Sequence, residues 1–79
     1  MRFQIQQRLV KGSSPTAKPE MRFSDRTVLE AESGVSALRA YLEQEQAEPM
    51  GMIEKVGPMV VVNARRGDDV FVIQVLPKD

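Results

Sequence analysis

Phe3, Ile5 and Leu9 share one parity along the first ten residues while Arg2, Gln4, Gln6 and Arg8 share the other. That alternation is what a strand needs when one face is buried and the other wet. Gly12-Ser13-Ser14-Pro15 and Pro19 then break regular structure, so 11–20 reads as a flexible loop. A second strand is expected over about 21–32, weakened by Ser24-Asp25. Its clearest part is Thr27 to Glu32, with Leu29 and Ala31 on one side and Glu30 and Glu32 on the other.

The period changes after Ser33, a natural helix cap. Val35, Leu38, Tyr41 and Leu42 fall on one helical stripe, opposite Ser36, Arg39, Glu43 and Gln46, which predicts an amphipathic helix from Gly34 to Ala47 stopped by Pro49. The stretch from Met50 to Pro58 is rich in Met and Gly and supports no assignment. Met59 to Ala64 and Val70 to Leu76 are strongly β-prone, and Arg65-Arg66-Gly67-Asp68-Asp69 between them has the composition of a hairpin turn.

The expected order is therefore β-β-α-β-β in one α+β domain spanning 1–79, with a single helix on a four-stranded mixed sheet. A β-grasp-like arrangement, with first and last strands parallel at the centre, suits the matching parities of Phe3, Ile5, Leu9 and Phe71, Ile73, Val75. The alternative is a fully antiparallel meander. The chain ends Leu76-Pro77-Lys78-Asp79 without the Gly-Gly of ubiquitin-like conjugated proteins, so conjugation gains no support.

Composition narrows the chemistry more than it directs it. The 79 residues include no His, Cys or Trp. That removes the neutral-pH proton shuttle, the thiol nucleophile and the usual borderline-metal ligands. With 42% apolar and 28% charged residues the chain has the balance of a folded domain. The absence of cysteine favours the cytoplasm over secretion, the first residues lack a signal-peptide core, and the longest apolar run, Met59 to Val62, is far too short to span a membrane.

Net charge is zero but unevenly spread: 1–26 carry +4, 27–54 carry −5 and the remainder +1. Individual motifs are weak. Arg66-Gly67-Asp68 spells an adhesion tripeptide, but Gly-Asp is what a tight turn asks for. Glu30 and Glu32 are two carboxylates without further oxygen ligands, Asp68 and Asp69 are adjacent at a turn, and Gly12-Ser13-Ser14 lacks the spacing of a phosphate-binding loop. Ser14-Pro15 is a dipeptide common in loops. No catalytic residue, metal site or cofactor is expected.

Two binding classes are left. Nucleic-acid binding would use Arg2, Arg8, Arg22, Arg26, Arg65 and Arg66, with Phe23 as the sole aromatic whose position suits base stacking. Protein binding is the favoured expectation. Met59, Val61, Val70 and Val72 lie on the opposite parity to the core positions of the last two strands, where a sheet covered on one side should be polar. They form a candidate partner or homodimer surface unless 50–58 or the first loop folds over them. Glu43, Glu45 and Glu48 give the helix an acidic face able to meet a basic target. The class expected is a non-enzymatic inhibitor, adaptor or accessory protein. By analogy of size and composition alone, that class includes phage and mobile-element inhibitors of host proteins, anti-CRISPR proteins among them.

Overall fold

A computed structural model describes residues 1–12 and 24–78. The elements are β1 (Arg2–Lys11), β2 (Ser24–Glu30), α1 (Gly34–Gln44), β3 (Glu48–Val56), β4 (Met59–Arg66) and β5 (Asp69–Pro77). The strands form one five-stranded sheet in the order β2-β1-β5-β4-β3, and every neighbouring pair is antiparallel.

The expected α+β layering of one helix on a sheet is present, but the sheet has five strands where four were expected, and it is antiparallel where a mixed sheet was expected. The first and last strands do lie side by side at the centre. They run in opposite directions, with Ile5 opposite Val75 and Gln7 opposite Ile73. The cause is the segment between the helix and Met59. It forms β3, and one additional strand reverses the chain once more before β5, which turns a parallel β1/β5 pair into an antiparallel one. Of the alternative, the fully antiparallel pairing is present, but the strand order is not a meander, because α1 carries the chain from the β2 edge to the β3 edge.

Sequence patterning concealed β3 for physical reasons. Of its nine residues only Ile53 is less than exposed, so no buried parity marks it, and Pro49 is tolerated because β3 is an edge strand. A register shift between Met50 and Glu54 further disturbs the alternation. Two-residue turns close both C-terminal hairpins. Gly57 and Gly67 each open one of them with φ of 62°, the first-position conformation that glycine alone adopts cheaply. The turn after β4 is thus Gly67-Asp68, shorter than expected, with Arg66 and Asp69 already paired across the strands.

The core lies between α1 and one sheet face. Phe3 and Ile5 of β1, Val60, Val62 and Ala64 of β4, and Phe71, Ile73 and Val75 of β5 enclose Ala37, Leu38, Tyr41 and Leu42. The expected parities hold, with Leu9 half-buried at the margin. Among the described residues, Gln7 is the buried polar side chain of this layer, and its Oε1 accepts a hydrogen bond from the Tyr41 hydroxyl at 3.0 Å. This bond makes burial of both polar tips tolerable and ties α1 to β1.

The helix begins as expected. The Ser33 side chain accepts from the Ser36 backbone N–H at 3.1 Å. It ends earlier than expected, at Gln44 rather than Ala47. Gln46 adopts φ of 55°, its N–H donates to the Glu43 carbonyl, and the Ala47 N–H reaches back to the Leu42 carbonyl at 2.9 Å. This pair of bonds closes the helix before Pro49 is reached.

Candidate functional site

With α1 on one face, the opposite sheet face has no helix over it among the described residues. Strand register places its side chains in rows. Gln4 lies between Val28 and Leu76, and the Val60–Val75 pairing puts Met59 beside Leu76, with Val56 opposite Met59 at the edge. The next row runs Gln6, Gln74, Val61, Glu54, and the one after it Arg8, Val72, Asn63, Met50. A last row holds Val70, Arg65 and Glu48.

This face has three zones. Met59, Val61, Val70, Val72 and Leu76 make a half-buried apolar stripe along β4 and β5. On one side β1 contributes Arg8 with Gln4 and Gln6; on the other, β3 contributes Glu48 and Glu54. The stripe reaches the β3 edge through Val56, 55% exposed, while Val28, 42% exposed at the β2 edge, is separated from it by Gln4. A lone antiparallel sheet with this much apolar surface on its open side departs from the polar pattern such a face normally shows.

The expected apolar site residues Met59, Val61, Val70 and Val72 are thus brought together on one surface. The segment 50–58 does not fold over them; it extends the sheet beside them as β3, while the expected flexible loop, the other candidate cover, lies almost wholly outside the described residues. Val28, Val56, Leu76 and Met50 belong to the same surface and were missed. Leu76 was readable from its parity with Val70 and Val72, whereas Val56 and Met50 required β3 to be recognised.

The expected acidic helix face is not assembled. Glu43 sits on α1, Glu45 caps its C-terminus, and Glu48 is already in β3 on the open sheet face. Two of the three carboxylates are matched within the chain. Glu48 meets Arg65 at 3.3 Å, and Glu45 meets Arg66 at 3.2 Å while the Arg66 guanidinium lies 4.7 Å from the Phe71 ring centre. An open concavity of about 410 Å³ next to these pairs is lined by Gln46, Glu48, Arg65, Gly67 and Asp68.

The expected basic residues are dispersed. Arg2 lies opposite Glu30, Arg8 sits on the open face, Arg65 and Arg66 hold the ion pairs just described, Arg22 and Phe23 lie outside the described residues, and Arg26 is in β2. Arg66 of the Arg-Gly-Asp tripeptide is turned toward Glu45 and Phe71 instead of outward. Glu32 follows β2 in a bend, so it does not share a strand face with Glu30. Ser13, Ser14 and Pro15 are outside the described residues, and among those described no group of three or more acidic side chains is placed to hold a metal ion.

The chain matches no family model, no curated protein and no solved structure. No helix among the described residues is long and apolar enough to cross a membrane.

Proposed function

We propose that this protein acts by binding another protein through the open face of its sheet, as a small inhibitor, adaptor or accessory factor in the cytoplasm, and not by catalysis. The observation carrying this reading is the apolar stripe Met59, Val61, Val70, Val72 and Leu76 on the face opposite the helix, continued to the β3 edge by the exposed Val56. Apolar surface gathered on one face and bordered by charge has the anatomy of a recognition patch. Pairing of Glu48 with Arg65 and Glu45 with Arg66 cancels charge that nucleic-acid binding would need. The same pairing occupies two of the three carboxylates expected on the helix face, so the sheet face is preferred to α1.

Affinity capture with the wild-type chain, Val56→Asp and Glu43→Lys, each with a nuclease-treated arm, tests the reading. A defined protein should be held by wild type and Glu43→Lys in both arms and lost at least tenfold with Val56→Asp, since a charge would then sit on the stripe. Loss with Glu43→Lys instead moves the site to α1. Recovery of nucleic acid, with proteins disappearing after nuclease, replaces the reading with nucleic-acid binding.

A further inference from the structure

We propose that the occupant of the open face is an amphipathic helix of a different protein, laid lengthwise on β4 and β5 with a basic flank toward β3; this rests on the protein-binding reading above. The shape of the apolar surface is the argument. In successive rows its members are Leu76 and Met59, then Val61, then Val72, then Val70. The other position of each later row on these two strands is polar: Gln74 beside Val61, Asn63 beside Val72 and Arg65 beside Val70. The stripe is therefore one to two strands wide and drifts from β4 to β5 along its length. Gln4 and Gln6 bound it on β1, and Glu54 bounds it on β3 in the row of Val61.

Width selects the occupant. Strands lie about 4.8 Å apart, so the stripe is at most about 10 Å across, and its rows span about 20 Å. An α-helix is about 10 Å in diameter, and about 14 residues, close to four turns, cover that length. A second sheet would lay several strands across the face and bury Gln4, Gln6 and Glu54 beneath them, whereas a helix leaves those flanks wet. α1 already packs on the other face of the same strands in this way. A second copy offers no such helix, because Ala37, Leu38, Tyr41 and Leu42 are in its own core and the outer side of α1 carries Ser36, Arg39 and Glu43. Among the described residues α1 is the only helix, so the occupant comes from a different protein.

Charge sets the rotation of that helix about its own axis. Glu54 is exposed, stands one strand outside Val61 and takes part in neither of the ion pairs that occupy Glu45 and Glu48. A Lys or Arg on the β3 flank of the docked helix reaches it, with the stem along the sheet and the charged head in water. The opposite flank meets the amides of Gln6 and Gln74, which call for no charge. A patch this small lies below the standard interface size, so a single helix should bind with a dissociation constant on the order of 100 µM.

Methyl spectra of the full chain, titrated with synthetic peptides of about 15 residues, provide the test. The first peptide carries Leu at i, i+3, i+4 and i+7 with Lys along one flank. The second has the same composition scrambled, the third alternates Leu and Lys so that only a strand is amphipathic, and the fourth is the first with Glu in place of Lys. The first should move the signals of Met59, Val61, Val72 and Leu76 and bind about tenfold more tightly than the scrambled and alternating peptides. Wild type should prefer the Lys peptide to its Glu counterpart about threefold, and Glu54→Lys, an exposed substitution that leaves the fold intact, should reverse that preference. Equal binding of the alternating peptide, no binding of the first at about 1 mM, or a preference indifferent to Glu54→Lys overturns the helix. So do stripe signals that shift with concentration in the chain alone, which make the occupant a second copy, or contacts between the stripe and 13–23, which make it the chain itself. If the first peptide fails while capture of a protein still depends on Val56, the protein-binding reading stands and only the helix falls; if capture fails too, both fall.

Discussion

Gly34 opens α1 where the helix comes down onto β4, and replacing it with Ala sets two effects against each other. Its backbone φ is not in the left-handed region, so Ala is conformationally acceptable, and as a helix former it is favoured over Gly by about 1 kcal/mol. Against this, a Cβ at position 34 would stand 2.8 Å from Val60 Cγ2 and 3.8 Å from Phe3 Cε1. Carbon atoms pack best at about 3.5 to 4.0 Å, and forcing a methyl into a filled core costs about 1 to 3 kcal/mol. Val60 is a stiff β-branched residue, 5% exposed within the core, and yields poorly. Steric cost outweighs propensity, so Gly34→Ala should destabilise the fold by about 1 to 2 kcal/mol, lowering Tm by roughly 5 to 15 °C. Urea unfolding followed by far-ultraviolet circular dichroism measures this. The cycle with Val60→Ala isolates the cause: in that background the obstructing methyl is gone, and Gly34→Ala should become neutral or stabilising, a coupling of about 2 kcal/mol. If Gly34→Ala is neutral or stabilising in the wild-type background, the seating of α1 on β4 described above is wrong.

Gln46 holds φ of 55° at the helix terminus, so Gln46→Gly should stabilise the protein by about 0.5 to 1 kcal/mol in the same urea assay; a loss of stability would contradict the helix ending described. Ser33→Ala removes the acceptor for the Ser36 N–H and should cost about 1 kcal/mol, whereas Ser33→Asp should hold stability near wild type. Arg66→Met keeps apolar cover over Phe71 but removes the bond to Glu45, and should cost about 0.5 to 1 kcal/mol with the difference shrinking in high salt; a salt-independent loss would point to packing instead of charge.

Legibility in the sequence followed burial. Strands with one face in the core, β1, β4 and β5, declare themselves because Phe3, Ile5, Val60, Val62, Ile73 and Val75 must alternate with wetted neighbours. The helix is equally plain at its start, where Ser33 caps it, but not at its end, because Gln46 in the left-handed region carries none of the glycine signal that usually marks such a terminus. β3 was invisible for the converse reason: Met52 is 86% exposed, and almost nothing in the strand is selected for a core. Without β3 the sheet counts four strands and the β1/β5 pair comes out parallel. For the candidate site, parity alone identified Met59, Val61, Val70 and Val72, since it requires only local alternation. The ion pairs that divide the acidic residues join positions 17 and 21 apart in sequence and depend on β3 lying beside β4, so no local pattern revealed them.

The claim that the open sheet face is the binding surface is tested most directly by methyl spectra of the isotope-labelled chain, recorded alone and with any captured protein. Binding at this face should shift and broaden the methyl signals of Val56, Met59, Val61, Val72 and Leu76 while leaving those of Ala40, on the exposed side of α1, in place. Changes at Ala40 with the stripe unmoved would contradict the account.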